Sequence, residues 1–128
     1  MPFFSELFVS EILRKPVLDP KGEELGRVKD LVVVKGEPLP KISSLVLEKK
    51  RKLFNLPWSD LSIFNKRIIA ANIYGARLQS YELSEEDLLV ARDIFDKQIV
   101  DANGAKVVRV NDVKLEGLNT EAVLLAVD

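Results

Sequence analysis

The chain has no cysteine and no histidine among its 128 residues. The first absence rules out disulfides, thiolate metal sites and thiol nucleophiles, and it fits a reducing compartment. The second removes the commonest catalytic base and, with cysteine also missing, the usual zinc ligands. No glycine-rich phosphate loop is present, because the six glycines are scattered among turns. Serines and lysines are plentiful, yet none has a base at a spacing that would activate it. The sequence therefore points to no catalytic residue, no metal and no cofactor, and we read it as a non-enzyme. Charge of one sign is also lacking. The net charge is −1, so no global field draws the chain to nucleic acid or anionic lipid. Long hydrophobic runs are missing too: residues 31–34 and 122–127 are among the longest, against the ~20 that a spanning helix needs. Glu6 stands near the N-terminus, where a signal peptide would carry basic residues. A cytoplasmic protein without a membrane span is the expectation.

What is present is a globular composition, 47% apolar and 30% charged, in a chain of one ordinary domain's length. The chain also contains one motif twice. Residues 12–30 align without a gap on residues 94–112, at an offset of 82. Seven of the 19 positions are identical: Ile12/Ile94, Lys15/Lys97, Asp19/Asp101, Gly22/Gly104, Arg27/Arg109, Val28/Val110 and Asp30/Asp112. Unrelated segments would share about one. A self-match at a fixed offset marks one supersecondary unit used twice.

The unit reads as mainly β with short helical turns. Residues 6–9 form an apolar strand, and one helical turn follows over 10–13 with Ser10 as its cap. Residues 89–91 and 92–95 occupy the matching places in the second copy, where Ser84 and Asp87 resemble the cap of an added lead-in helix. Residues 16–18 are a short strand, and Asp19, Pro20, Lys21 and Gly22 close a turn; Asp101 and Gly104 frame its second copy. Residues 25–34 form a long strand whose alternation slips near Asp30, which suggests a bulge. A loop over 36–40 follows. The next strand, 41–48, sets Ile42, Ser44 and Val46 on one face and Leu45 and Leu47 on the other. Lys49, Lys50, Arg51 and Lys52 form a polar hairpin tip, residues 52–56 return to Pro57, and 68–73 is the last strand of the first copy. Residues 74–83 link the copies. The second copy supplies strands over 107–115 and 122–127 and has no counterpart of residues 53–73, so its last strand is expected to carry an unpaired edge.

These residues resemble the PRC-barrel family. The resemblance lies in Ser10, Glu11, Ile12 and Leu13, in Lys15 to Asp19 with Gly22, in Gly26, Arg27, Val28, Lys29 and Asp30, and in Pro57, Trp58, Ser59 and Asp60. The family includes the cytoplasmic domain of the photosynthetic reaction centre H subunit and the C-terminal domain of a ribosome maturation factor, both small β-barrels that serve as docking modules. Residues 88–101, continuing to Arg109, Val110, Asn111 and Asp112, narrow the likeness. They resemble the N-terminal barrel repeats of bacterial proteins that join such barrels to an MgtE-type helical domain and CBS domains of magnesium transporters. The resemblance implies a small β-barrel of two repeats, residues 1–82 and a partial 83–128, packed on or paired with each other. It also implies a non-enzymatic docking or regulatory module, the cytoplasmic N-terminal part of a magnesium-transporter-like protein. An RNA- or ribosome-associated module is the alternative.

Several residues invite sharper readings. The recurring aspartates, Asp19/Asp101 and Asp30/Asp112, resemble Mg²⁺ ligands, but that ion needs a near-octahedral oxygen set and nothing clusters them. Turn closure by Asp19 and Asp101, and a strand bend at Asp30 and Asp112, are the plainer accounts. Arg27 and Arg109 either pair with acidic neighbours or form an anion site. Lys49, Lys50, Arg51 and Lys52, near Phe54, Trp58 and Phe64, mimic the basic–aromatic mix that stacks nucleic acid. A solvated tip that blocks edge pairing is the simpler reading. Trp58 is expected in the core or at its rim. Phe3 and Phe4 are either tucked onto the barrel or left for a partner. The expected partners are a protein, a second copy in a homodimer, or other domains of a longer parent chain. Charge balance argues against nucleic acid.

Overall fold

A computed structural model describes residues 6–35, 40–95, 98–100, 107–109, 112–118 and 121–127. Phe3, Phe4, Asp101 and Gly104 lie outside the described residues. In chain order the strands are β1 (Glu6–Phe8), β2 (Pro16–Leu18), β3 (Glu24–Val34), β4 (Lys41–Lys49), β5 (Lys52–Pro57), β6 (Leu61–Phe64) and β7 (Ile69–Ala71). They continue with β8 (Gln79–Ser80), β9 (Leu88–Leu89), β10 (Gln98–Val100), β11 (Val107–Arg109), β12 (Asp112–Leu118) and β13 (Glu121–Val127). Eleven of these form one sheet, strongly curled into a half-barrel, and β10 pairs with β11 apart from it. The fold is mainly β, in keeping with a small β-barrel.

The strand β3 is the spine. It pairs antiparallel with β4 along one edge, while β2 and β9 share its other edge. The slip in its alternation has a physical cause. The pairing with β4 passes from Val28↔Leu47 to Asp30↔Val46, so Lys29 is the extra residue of a bulge. Beyond it Leu31 and Val33 enter the main core. Val32, on the other face, packs with Val46 and Leu89 in a second cluster. A strand covered on both faces reads as a continuous apolar run. A second irregularity, between Val32/Val33 in the same ladder, leaves Ser43 unpaired there and corrects the expected facing of β4. Ile42 joins Leu45 and Leu47 in the main core, not Val46.

The two copies exchange their leading strands. The first strand of the first copy, β1, pairs with β12 of the second, Phe8↔Lys114 and Leu7↔Leu115. The leading strand of the second copy, β9, pairs with β3 of the first, Leu89↔Val32 and Leu88↔Val33. After the turn the repeat offset is 82. Before it, these pairings match Leu89 to Phe8 and Val90 to Val9, an offset of 81. The turns absorb the difference. The first is a 3₁₀ turn, Val9–Glu11, in which Leu13 N–H also reaches the Val9 carbonyl (i to i+4). The second is a π-type turn, Val90–Ile94, in which Phe95 N–H reaches the Val90 carbonyl (i to i+5). One inserted residue is housed by wider winding, the usual origin of such turns. Val9, Ile12, Val90, Val113 and Leu115 all lie in a single buried core, so both copies build it.

Other expectations change. Ser10 does not cap its turn; Phe8 N–H donates to Glu11 Oε1 at 2.9 Å, and Ser10 turns to Asp112. No lead-in helix forms at Ser84; its hydroxyl accepts from Glu86 N–H at 3.1 Å in a local turn, and Asp87 bonds Tyr81 instead. The expected last strand of the first copy is present as the shorter β7; what was not expected is β6, which forms a hairpin with it, and β8 in the link between copies, which pairs with β5. The last strand, β13, pairs with β12 along its length and meets β4 at Val123↔Lys41. Its outer edge is therefore partly used, because the curled sheet brings it against β4.

Candidate docking groove at the repeat junction

Each copy holds the turn of the other with one aspartate. Asp30, at the β3 bulge, is only 5% exposed. Its Oδ1 accepts from Leu31 N–H at 2.8 Å and Ala91 N–H at 2.7 Å, and its Oδ2 accepts from Arg92 N–H at 3.0 Å. Asp112, its repeat mate at the start of β12, accepts from Val113 N–H at 2.8 Å and from Ser10 N–H at 3.1 Å, and from the Ser10 hydroxyl through Oδ2. A turn this short leaves backbone donors without internal partners, and a carboxylate is the strongest acceptor available to them.

Beside Asp30 a groove of about 480 Å³ opens between the repeats. Leu13, Arg14, Arg27 and Lys29 line it from the first copy, Glu48 from β4, and Ala91 with Arg92 from the second copy. Arg14 has φ 70°, a left-handed conformation that costs a non-glycine residue about 1 kcal/mol. Hydrogen bonds on both sides fix it there: Arg14 N–H to the Val28 carbonyl at 2.8 Å, Val28 N–H to the Lys15 carbonyl at 3.0 Å, and Arg27 Nη1 to the Arg14 carbonyl at 3.1 Å. Arg27 also approaches Glu24 at 3.7 Å, a loose surface pair that contributes little.

Arg92 is a clasp. It donates to both oxygens of Asp93 at 2.8 Å, to the Ser84 carbonyl at 2.8 Å and to the Asp87 carbonyl at 2.6 Å, tying the link between copies to the second turn. The Tyr81 hydroxyl donates to Asp87 Oδ2 at 2.7 Å in the same web. Burial, then that bond to Asp87, push the Tyr81 pKa up to about 12.

The residues singled out from sequence fall in three places. Asp19 closes its turn by accepting from Lys21 N–H at 2.8 Å and Glu23 N–H at 2.9 Å, while Gly22 sits at φ 84° and donates to the Asp19 carbonyl at 2.9 Å. Lys50 and Arg51 form the exposed two-residue hairpin tip at φ 51° and 65°, the left-handed pair that such loops require. Lys49 reaches back to the Glu24 carbonyl at 3.0 Å. Trp58 and Phe64 are buried and stack edge to face, 4.9 Å apart, so neither offers a ring to a base. Of these candidates, Arg27 and Asp30 reach the groove. Arg14, Lys29 and Arg92 were not legible as site residues: Arg14 meets the β3 bulge through its N–H bond to the Val28 carbonyl, and Arg92 joins them because the leading strand of the second copy pairs with β3. Among the described residues no group of three or more acidic side chains is placed to hold a metal ion, and no helix is long and apolar enough to cross a membrane.

No curated protein matches the chain. The family model of the PRC-barrel domain matches residues 4–77, more than half of the chain, which therefore belongs to the PRC-barrel family.

Proposed function

We propose that the chain is a non-enzymatic docking or regulatory module, with the junction groove as its contact surface. The observation that carries this reading is the groove itself. It is built from both repeats and presents four cationic side chains, with the one buried carboxylate beside it, Asp30, fully used in backbone hydrogen bonds. Membership of a family of small binding barrels supports it. On the motif resemblance, the finer reading is the cytoplasmic N-terminal part of a magnesium-transporter-like protein, organised as units 1–82 and 83–128, with further domains of a parent chain or a second copy as partner. The RNA-module alternative rests on the basic tip at 49–52. It loses support because Trp58 and Phe64 are buried, and because Glu24 and Glu48 flank Arg27 on the way from the tip to the groove.

A photo-crosslinking residue placed at Lys29 tests the reading in cells, with the same residue at exposed Lys66 as control. The expected result is one defined protein adduct at position 29, either a second copy or another chain, and none at 66. RNA adducts, or none at either position, would sink it.

A further inference from the structure

Four cations line the groove, and they differ in how far they are already engaged. Arg92 spends its guanidinium on the clasp. Arg27 has only the loose pair with Glu24 and a bond to a carbonyl. Among the described residues, the side chains of Arg14 and Lys29 make no hydrogen bond or ion pair, and both are exposed. Arg14 is the more telling. Glycine would adopt its left-handed backbone without strain, so what the position gains by being arginine is the side chain. Lys29 is the extra residue of the β3 bulge, and bulges re-aim side chains at binding sites. Two separate backbone irregularities thus direct unpaired cations into one cleft, whose about 480 Å³ lies in the range of ligand clefts, roughly 300–1,000 Å³.

We propose that this groove receives an acidic, partly apolar extended segment of a partner protein. Carboxylates of the segment pair with Arg14 and Lys29 and draw Arg27 away from Glu24, while an apolar side chain rests on Leu13. The charge pattern selects this occupant over a nucleic-acid strand. A phosphate backbone needs a continuous basic track, and here Glu48 stands opposite Arg27 in the sheet. A peptide can set its acids against the cations and leave a neutral residue at Glu48. The inference rests on the docking reading above and adds the chemistry of the partner.

The test uses the full chain and fluorescence anisotropy. The probes are a short labelled peptide of alternating glutamate and leucine, its lysine counterpart, and labelled oligouridine. The glutamate peptide should bind and the other two should not. Arg14→Glu with Lys29→Glu should weaken binding by about tenfold or more, as expected when two charge pairs become repulsive. Arg14→Gly should also weaken it while holding or raising the melting temperature, which separates a binding role from a structural one. Lys50→Glu with Arg51→Glu at the hairpin tip should leave affinity within about twofold. The proposal is overturned if the glutamate peptide fails to bind, if only the tip variant loses binding, or if oligouridine binds as tightly with the same dependence on Arg14. Failure of the peptide together with a protein adduct at position 29 would remove the acidic partner and keep the docking module. Failure of both would remove both.

Discussion

At one junction between the repeats, the Asp30 carboxylate is 5% exposed and takes the N–H groups of Leu31, Ala91 and Arg92. At the other, Asp112 is half-buried and takes Val113 N–H together with the N–H and hydroxyl of exposed Ser10. The topology is the same on both sides: one copy's aspartate holds the other copy's turn beside an exchanged strand. The cost of losing each differs, because an unsatisfied donor is expensive only where water cannot replace the acceptor. Exposed Ser10 can turn to water. The N–H groups around Asp30 sit beneath the longer, π-type turn and the Arg92 clasp. Symmetry of sequence therefore does not imply symmetry of energy.

The largest expected effect sharpens this difference. Asp30→Ala should destabilise by about 3 kcal/mol, since it strands three donors at once, one buried and two partly buried, whereas Asp112→Ala should cost about 1 kcal/mol. Urea unfolding of both variants compares them directly, and equal losses would show that the two junctions are energetically alike. Next comes the inserted residue. Deleting Ala91 brings the π-type turn to the length of its 3₁₀ counterpart, and the first junction shows that this length can span the same distance. The expected cost is about 1 kcal/mol, with the fold retained. A chain that no longer folds would mean that the wider turn is required where it stands.

A smaller effect belongs to the Asp30 junction alone. The Tyr81 pKa is raised from 10.0 to about 12, so the folded state holds that proton more tightly than the unfolded chain does. Its contribution is complete below pH 10 and is lost as pH rises towards 12. Tyr81→Phe should flatten the fall in stability across that interval relative to the parent chain. An unchanged slope would remove Tyr81 from the clasp. The smallest effect concerns magnesium. Both repeat aspartates are occupied by backbone donors, so about 10 mM Mg²⁺ should leave the melting temperature within about 1 °C of its value in chelator. A rise of several degrees that vanishes in Asp30→Asn would turn the junction into an ion site.

Much of the local structure was legible in the residues. The turn from Asp19 to Gly22 needs a side-chain acceptor at its start and a residue free to take positive φ at its end, and both are written in the chain. The slip of alternation near Asp30 marked a true bulge, because period two breaks only when a residue is added. Less was legible wherever distant segments decide. The facing of Ile42 depends on a bulge that no break in β4's own pattern marks. The short strand β8 exists because β5 had an open edge for it, and two residues carry no periodic signal. The hydroxyl of Ser10, expected to accept from its own turn, donates instead to Asp112, 102 positions away, a partner that no local pattern marks.

By itself the sequence determined that this chain is a mainly β molecule made by using one unit twice, for hydrophobic period, turn chemistry and self-similarity are local properties. Tertiary structure alone decided that the units trade their first strands, that Asp30 and Asp112 serve each other's turns, and that Arg14 and Lys29 face one cleft. Those outcomes depend on which edges and faces meet once the sheet curls, and the free energy that selects among them comes from a core to which both repeats contribute.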